Sequence, residues 1–243
     1  IGFAKRYGLS PEKLEIRETP KGSFVFAKLI EKGKPVSCLL AEYLPGWISE
    51  IQGRRFMRWG KGDFRFSRPI RWVVSLINSE VLHFKISGCD PEIEVGNISR
   101  PHRLHGSQIQ INNAQTYFDQ MQDVGVIADR QSRLSFINDL VVNHEINNEF
   151  KSDLSEQLLN ELTDLVESPL LVNGGFDESF LDLPPEVLST VMKVHQRYIP
   201  LYKENVEYDP LALDSRNILI PSFLCISNGL SSAKDSIILG NEK

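Results

Sequence analysis

The side chains of this chain that could do chemistry fall in two short histidine motifs and one arginine-rich stretch. His102 and His105 stand three apart in Arg100-Pro101-His102-Arg103-Leu104-His105-Gly106, a spacing that could begin a metal site. Zinc needs further ligands, none lies nearby in sequence, and Arg100 and Arg103 would repel a cation, so no metal is expected. Contacts to backbone, or to the phosphate and sugar of a nucleic acid, account for the segment better. The second motif, His195-Gln196-Arg197-Tyr198, closes a stretch of helical pattern. His195 there suits capping through the helix dipole. Alternatively, Gln196 and Arg197 can hydrogen-bond RNA or another subunit, and Tyr198 can stack. A general base would need a partner carboxylate and a nucleophile, and the sequence identifies neither. No catalytic residue is assigned.

The arginine-rich stretch carries Arg54, Arg55, Arg58, Lys61, Arg65, Arg68 and Arg71 against the single acid Asp63. Phe56, Trp59, Phe64, Phe66 and Trp72 are interleaved with it. Basic residues among aromatics suit a surface that neutralises phosphates and stacks unpaired bases. Strand aromatics also build cores, so both readings stay open for Phe64, Phe66 and Trp72. Between Glu145 and Ser189 the balance reverses, with Lys151 the single base among many acids. One basic stripe on an acidic chain points to one face for a polyanion, extended by Arg100 and Arg103. The alternative is that stripe and acidic helices are solvated or pair with each other.

The elements that must position these residues follow from composition and pattern. The chain has 243 residues, 41% hydrophobic and 24% charged, with a net charge of −5, values of a soluble globular chain with a real core. No run of apolar residues is long enough to span a bilayer. Cys38, Cys89 and Cys225 lie too far apart for a disulfide framework or a zinc site, which points to a reducing compartment. The start at Ile1, with neither Met nor signal pattern, reads as a piece of a longer protein.

Leu14 to Ile16 and Ser23 to Ile30 predict a hairpin about Thr19-Pro20-Lys21-Gly22, and Pro35 opens a helix to about Ile51. Phe64 to Phe66, Ile70 to Ile77 and Val81 to Ile86 read as strands, Gly96 to Gly106 as a loop, and Gln108 to Ile111 as a strand. From Asn113 to Val166 the period is helical, with Leu134, Ile137, Val141 and His144 on one face and Leu154, Leu158, Leu162 and Leu165 on another. Gly174-Gly175 and Pro184-Pro185 mark a connection, a helix runs from Pro185 to about His195, and strands near Arg197 to Tyr202 and Ile218 to Ile226 close the chain. The expected class is α+β, a mostly antiparallel sheet with packed helices. It divides into a small lobe over 1–52, a main domain over 53–205, and a terminal strand with the start of a further region over 206–243. No phosphate loop, dinucleotide fingerprint or nucleophile elbow occurs, so ATP chemistry has no support in these residues.

Several longer runs then resemble one family. They are Glu18-Thr19-Pro20-Lys21-Gly22, Met57-Arg58-Trp59-Gly60, Phe66-Ser67-Arg68-Pro69-Ile70-Arg71-Trp72-Val73-Val74, Gly96-Asn97-Ile98-Ser99-Arg100, Phe176 to Leu188, and Met192-Lys193-Val194-His195-Gln196-Arg197-Tyr198-Ile199-Pro200-Leu201. In this order they resemble the β subunit of the bacterial-type heterotetrameric glycyl-tRNA synthetase, over essentially the whole chain. The resemblance implies part of an aminoacyl-tRNA synthetase that joins glycine to its tRNA. ATP, with Mg, would be used on the α subunit, so this piece alone would be inactive and hold no cofactor. The implied partners are the α subunit, in an assembly of two α and two β chains, and glycine tRNA, with neither membrane nor DNA. The implied location is cytoplasmic, with an organellar source left open. Part of the fold would resemble the editing-type domain of the phenylalanyl-tRNA synthetase β chain. Glycine is the smallest amino acid, so larger impostors are excluded sterically and an editing pocket has less to do; no editing residue is assigned. Three roles follow for this piece: a tRNA-binding and assembly module, an editing-type hydrolase, or a structural scaffold.

Overall fold

Gly22 adopts φ 114°, a backbone open to glycine, and the Thr19 hydroxyl donates to its carbonyl at 2.9 Å, which closes a tight turn between two strands. Strands β1 (Leu14–Thr19) and β2 (Gly22–Ala27) therefore pair antiparallel with Thr19 opposite Gly22. They follow the short helix α1 (Gly2–Arg6) and precede α2 (Val36–Glu50), which starts after Pro35 and carries Pro45 within it. The computed structural model describes residues 2–29, 32–103, 106–148, 150–203 and 218–229. Its contacts separate two units, residues 1–51 and residues 52–243. Among the described residues of the first unit only Ala4 is buried.

The second unit begins with four antiparallel two-stranded pairs. They are β3 (Met57–Arg58) with β4 (Arg65–Phe66), β5 (Leu76–Ile77) with β6 (Glu80–Val81), β7 (Phe84–Ile86) with β8 (Ile93–Val95), and β9 (Ile98–Ser99) with β10 (Ile109–Gln110). The expected long strand over Ile70 to Ile77 is corrected to its last two residues. The reason is a distant pairing: the Ser75 N–H donates to the Gly96 carbonyl at 2.8 Å and Val74 bridges Gly96, so the first part of this stretch is held by the distant segment at Gly96 and only its end forms a hairpin with β6. The expected strand over Val81 to Ile86 likewise divides: Val81 ends β6, and Phe84 to Ile86 pairs with Ile93 to Val95. Ile111, Met121 and Val126 form the core beneath.

The helical half contains α3 (Tyr117–Asp123), α4 (Arg130–Asn148), β11 (Phe150–Ser152), α5 (Glu156–Leu165), β12 (Pro169–Gly175), α6 (Pro185–Thr190), β13 (Ile199–Lys203) and β14 (Leu219–Asn228). One antiparallel sheet of order β11-β13-β14-β12 unites its strands. Ile137 and Val141 of α4 pack with Leu158 and Leu162 of α5 against Phe150, Ile199, Leu201, Leu224 and Ile226 of this sheet. Leu165, expected on the apolar face, is 63% exposed, because the backbone turns extended at Val166 and that residue enters the core instead. β12 replaces the expected connection at Gly174-Gly175. The region over 206–243 is seen only in part, as β14; residues 204–217 and 230–243 lie outside the described residues. Mixed helix and strand with small antiparallel sheets is the observed class. Among the described residues no helix is long and apolar enough to cross a membrane.

Candidate nucleic-acid interface

In a strand, neighbouring residues point to opposite faces, and the β3–β4 hairpin uses this to separate its charges from its rings. Arg58 stands directly opposite Arg65, and Met57 opposite Phe66. Phe66 lies 5.0 Å from Phe56 and 6.3 Å from Phe64 between ring centroids, and the Trp59 indole donates to the Phe66 carbonyl at 3.0 Å. The rings thus hold the hairpin together while its arginines face water. Like charges directly across a strand pair repel, and Asp63, 3.2 Å from Arg58, offsets them in part. The hairpin is anchored at its turn, where the Lys61 N–H donates to the Asp90 carboxylate at 2.9 Å and the Phe64 N–H to the Gly88 carbonyl at 2.9 Å. A Cβ at Gly62 would fall 2.1 Å from the Gly88 carbonyl oxygen, so only glycine permits this approach.

Arg54, Arg55, Arg58, Lys61, Arg65, Arg68, Arg71, Arg100 and Arg103 are all exposed. Among the described residues Arg58 alone of these has an ion pair. Three acids of the helical half are paired within that half: Asp164 with Arg130 at 2.7 Å, Asp153 with Lys193 at 2.5 Å and Glu161 with Arg197 at 2.5 Å. The reading in which stripe and acidic helices neutralise each other therefore finds no ion pair among the described residues.

The segment from Gly96 to Arg100, expected as part of a loop but carrying β9, is brought against the end of the stripe by the Val74–Gly96 bridge, a juxtaposition that sequence order does not reveal. The Arg71 and Arg100 guanidinium carbons lie 5.7 and 5.2 Å from the Trp72 ring centroid, within cation–π range. Trp72 is 36% exposed and so belongs to the surface, which corrects the core alternative for it; Phe64 and Phe66 are half-buried. Beside Trp72 runs a cleft of about 350 Å³ lined by His83, Glu94, Asn97, Arg100 and Gln108 among others. Glu94 also holds Lys85 at 3.0 Å, and the two carboxylates of Glu94 and Glu92 push that ammonium above the usual lysine range.

Other expected site residues fall elsewhere. His102, a candidate RNA contact, is fully buried, with its backbone N–H donating to the Val124 carbonyl at 3.4 Å. His105 lies outside the described residues. Among the described residues no group of three or more His, Cys, Asp and Glu side chains could hold a metal. The second motif closes a π-helical turn over Val191–Gln196. Arg197, rather than His195, caps it: at φ 60° its guanidinium donates to the Lys193 carbonyl at 3.3 Å and to the Val194 carbonyl. Tyr198 stacks on Phe223 at 4.2 Å, so its ring is engaged inside the molecule, while His195 and Gln196 remain exposed.

A family model described as the glycyl-tRNA synthetase beta subunit matches residues 1–243, the whole chain. The chain belongs to the glycyl-tRNA synthetase beta subunit family. A glycine–tRNA ligase beta subunit of Synechocystis sp. is 40% identical over 242 residues, covering 99% of this chain and 32% of the relative. Those of Trichodesmium erythraeum and Bacillus subtilis are 38% and 35% identical over 243 residues, covering all of this chain and 33% of each relative. The chain thus spans about a third of the length of the curated relatives it matches. Within this family member, sequence reasoning missed the Trp72 cleft. Asn97 and Arg100 lie in a run that the family resemblance singles out, but His83 and Gln108 reach the cleft from β-strand ends without a motif.

Proposed function

We propose that this chain contributes tRNA binding and subunit assembly to a glycine–tRNA ligase whose adenylate chemistry takes place on the α subunit. The observation that carries this reading is the set of exposed, nearly unpaired arginines on the β3–β4 hairpin and around Trp72, in a chain of net charge −5. Arg58 opposite Arg65 is a repulsion that a phosphate between them would relieve. The proposal includes glycine tRNA as the RNA, two α and two β chains in the assembly, ATP with Mg consumed on the α subunit, and a cytoplasmic location. It extends to a likeness with the editing-type domain of the phenylalanyl-tRNA synthetase β chain, supported by the antiparallel sheet and the helices packed on it.

In the intact ligase, replacing Arg54, Arg55 and Arg58 together by Gln should raise the KM for tRNA far more than that for ATP or glycine. The salt dependence of tRNA binding should flatten, by roughly 0.7 to 0.9 in log–log slope for each phosphate that is no longer neutralised. Charging with unchanged KM for tRNA and unchanged salt response would assign these three residues to solvent.

A further inference from the structure

We propose that the cleft beside Trp72 takes one unpaired nucleotide of the RNA, its base stacked on the Arg71–Trp72–Arg100 group and its edge met by the polar side chains of the cleft. The inference rests on the reading that this surface binds RNA. An indole left 36% exposed keeps apolar area in water unless something flat covers it. The two guanidiniums at 5.7 and 5.2 Å make the group both aromatic and cationic, which suits a base carrying a phosphate on its sugar. Bases inside a duplex are already stacked and an A-form major groove is too narrow to enter, so only an unpaired base can use such a platform.

The lining supplies what a base edge needs. Asn97, Gln108 and His83 each offer donor and acceptor positions, and Glu94 accepts. The wall is preorganised: the Asn97 amide donates to the Ile111 carbonyl at 3.0 Å, the Ile111 N–H returns to the Asn97 carbonyl at 2.8 Å, and the Gly96 N–H donates to the Val73 carbonyl at 3.2 Å. Less ordering therefore remains to be done on binding. A volume of about 350 Å³ admits one nucleoside and not a run of stacked bases.

The test measures binding of two probes to the full 243-residue chain: an oligoadenylate, and a blunt RNA duplex of equal phosphate count. Trp72→Leu should weaken the oligoadenylate on the order of tenfold while leaving the duplex and the salt slope of both almost unchanged. Trp72→Phe, which keeps a flat ring, should retain most of the affinity. The part of the tryptophan fluorescence that Trp72→Phe removes should be quenched by oligoadenylate in the unsubstituted chain, a readout independent of how Trp72→Leu folds. Equal losses on both probes, no loss on either, or no quenching of that component would overturn the nucleotide site while leaving the arginine stripe as an RNA surface. Binding of neither probe by the unsubstituted chain would overturn the RNA reading and this inference with it.

Discussion

Asp129 precedes α4 by one residue, and its carboxylate accepts the Ser132 N–H at 2.7 Å. That hydrogen bond satisfies one of the donors a helix start leaves open. The bonds from Ser132 hold the Asp129 carboxyl below its ordinary range, and the Arg130 guanidinium does the same for Asp164. For a carboxyl depressed in the folded state, the contribution to stability is present above the unfolded pKa and lost as pH falls through the folded one. Asp129→Asn keeps an acceptor but removes the titration. Its unfolding free energy, followed by circular dichroism in denaturant from about pH 5 down to pH 2, should fall less steeply on acidification than that of the unsubstituted chain. A parallel acid limb would place the pH dependence in other groups. Arg197 is the opposite case among single residues. It stands in the left-handed region because its side chain folds back on the helix end it caps and reaches Glu161.

The pairing of β12 with β14 depends on one absent side chain. Gly174 stands opposite Phe223, and a Cβ on it would lie 2.5 Å from the end of that ring, which is itself stacked on Tyr198 at 4.2 Å with 6° between planes. The ring cannot swing away without breaking the stack, so Gly174→Ala should cost about 1–3 kcal/mol by overpacking. Gly33→Ala, where a Cβ meets nothing within 4 Å, serves as the comparison and should stay near neutral in the same denaturant titration. Equal behaviour of the two variants would mean that the sheet repacks around the methyl group. The Gly174-Gly175 pair explains why β12 is hard to read: glycines signal turns in sequence, yet here they make room for an aromatic from the neighbouring strand.

Across the whole molecule, burial is unevenly shared between the two units. Residues 1–51 expose Ile16 at 74%, Trp47 at 54% and Phe24 at 48%, and bury Ala4 alone among their described residues. A two-stranded hairpin with two helices and no core of its own is marginal in water. Residues 52–243 hold hydrophobic clusters that include Ile137, Leu162, Ile199 and Leu224 in one and Ile111, Met121 and Val126 in another. Expressed separately, residues 52–243 should melt cooperatively, whereas residues 1–51 should show no cooperative transition by calorimetry and little protection in hydrogen exchange. A sharp transition in the small piece would mean that local propensity suffices for it.

From sequence alone came the family, the position of α2, the helical period that α4 and α5 occupy though not the strand β11 that divides them, the terminal strands, and the segregation of seven basic residues between Arg54 and Arg71. These are properties of local period, turn chemistry and side-chain type, which each short stretch carries within itself. Only the tertiary structure decided that Trp72 is exposed, with the Arg71 and Arg100 guanidiniums beside its ring. It alone buried His102 and paired Asp153, Glu161 and Asp164 with bases of their own half. It alone made β12 the edge of the four-stranded sheet. Each of these depends on a pairing between residues tens of positions apart, such as Val74 with Gly96 or Gly174 with Phe223, and no local pattern encodes which distant backbone will supply the partner.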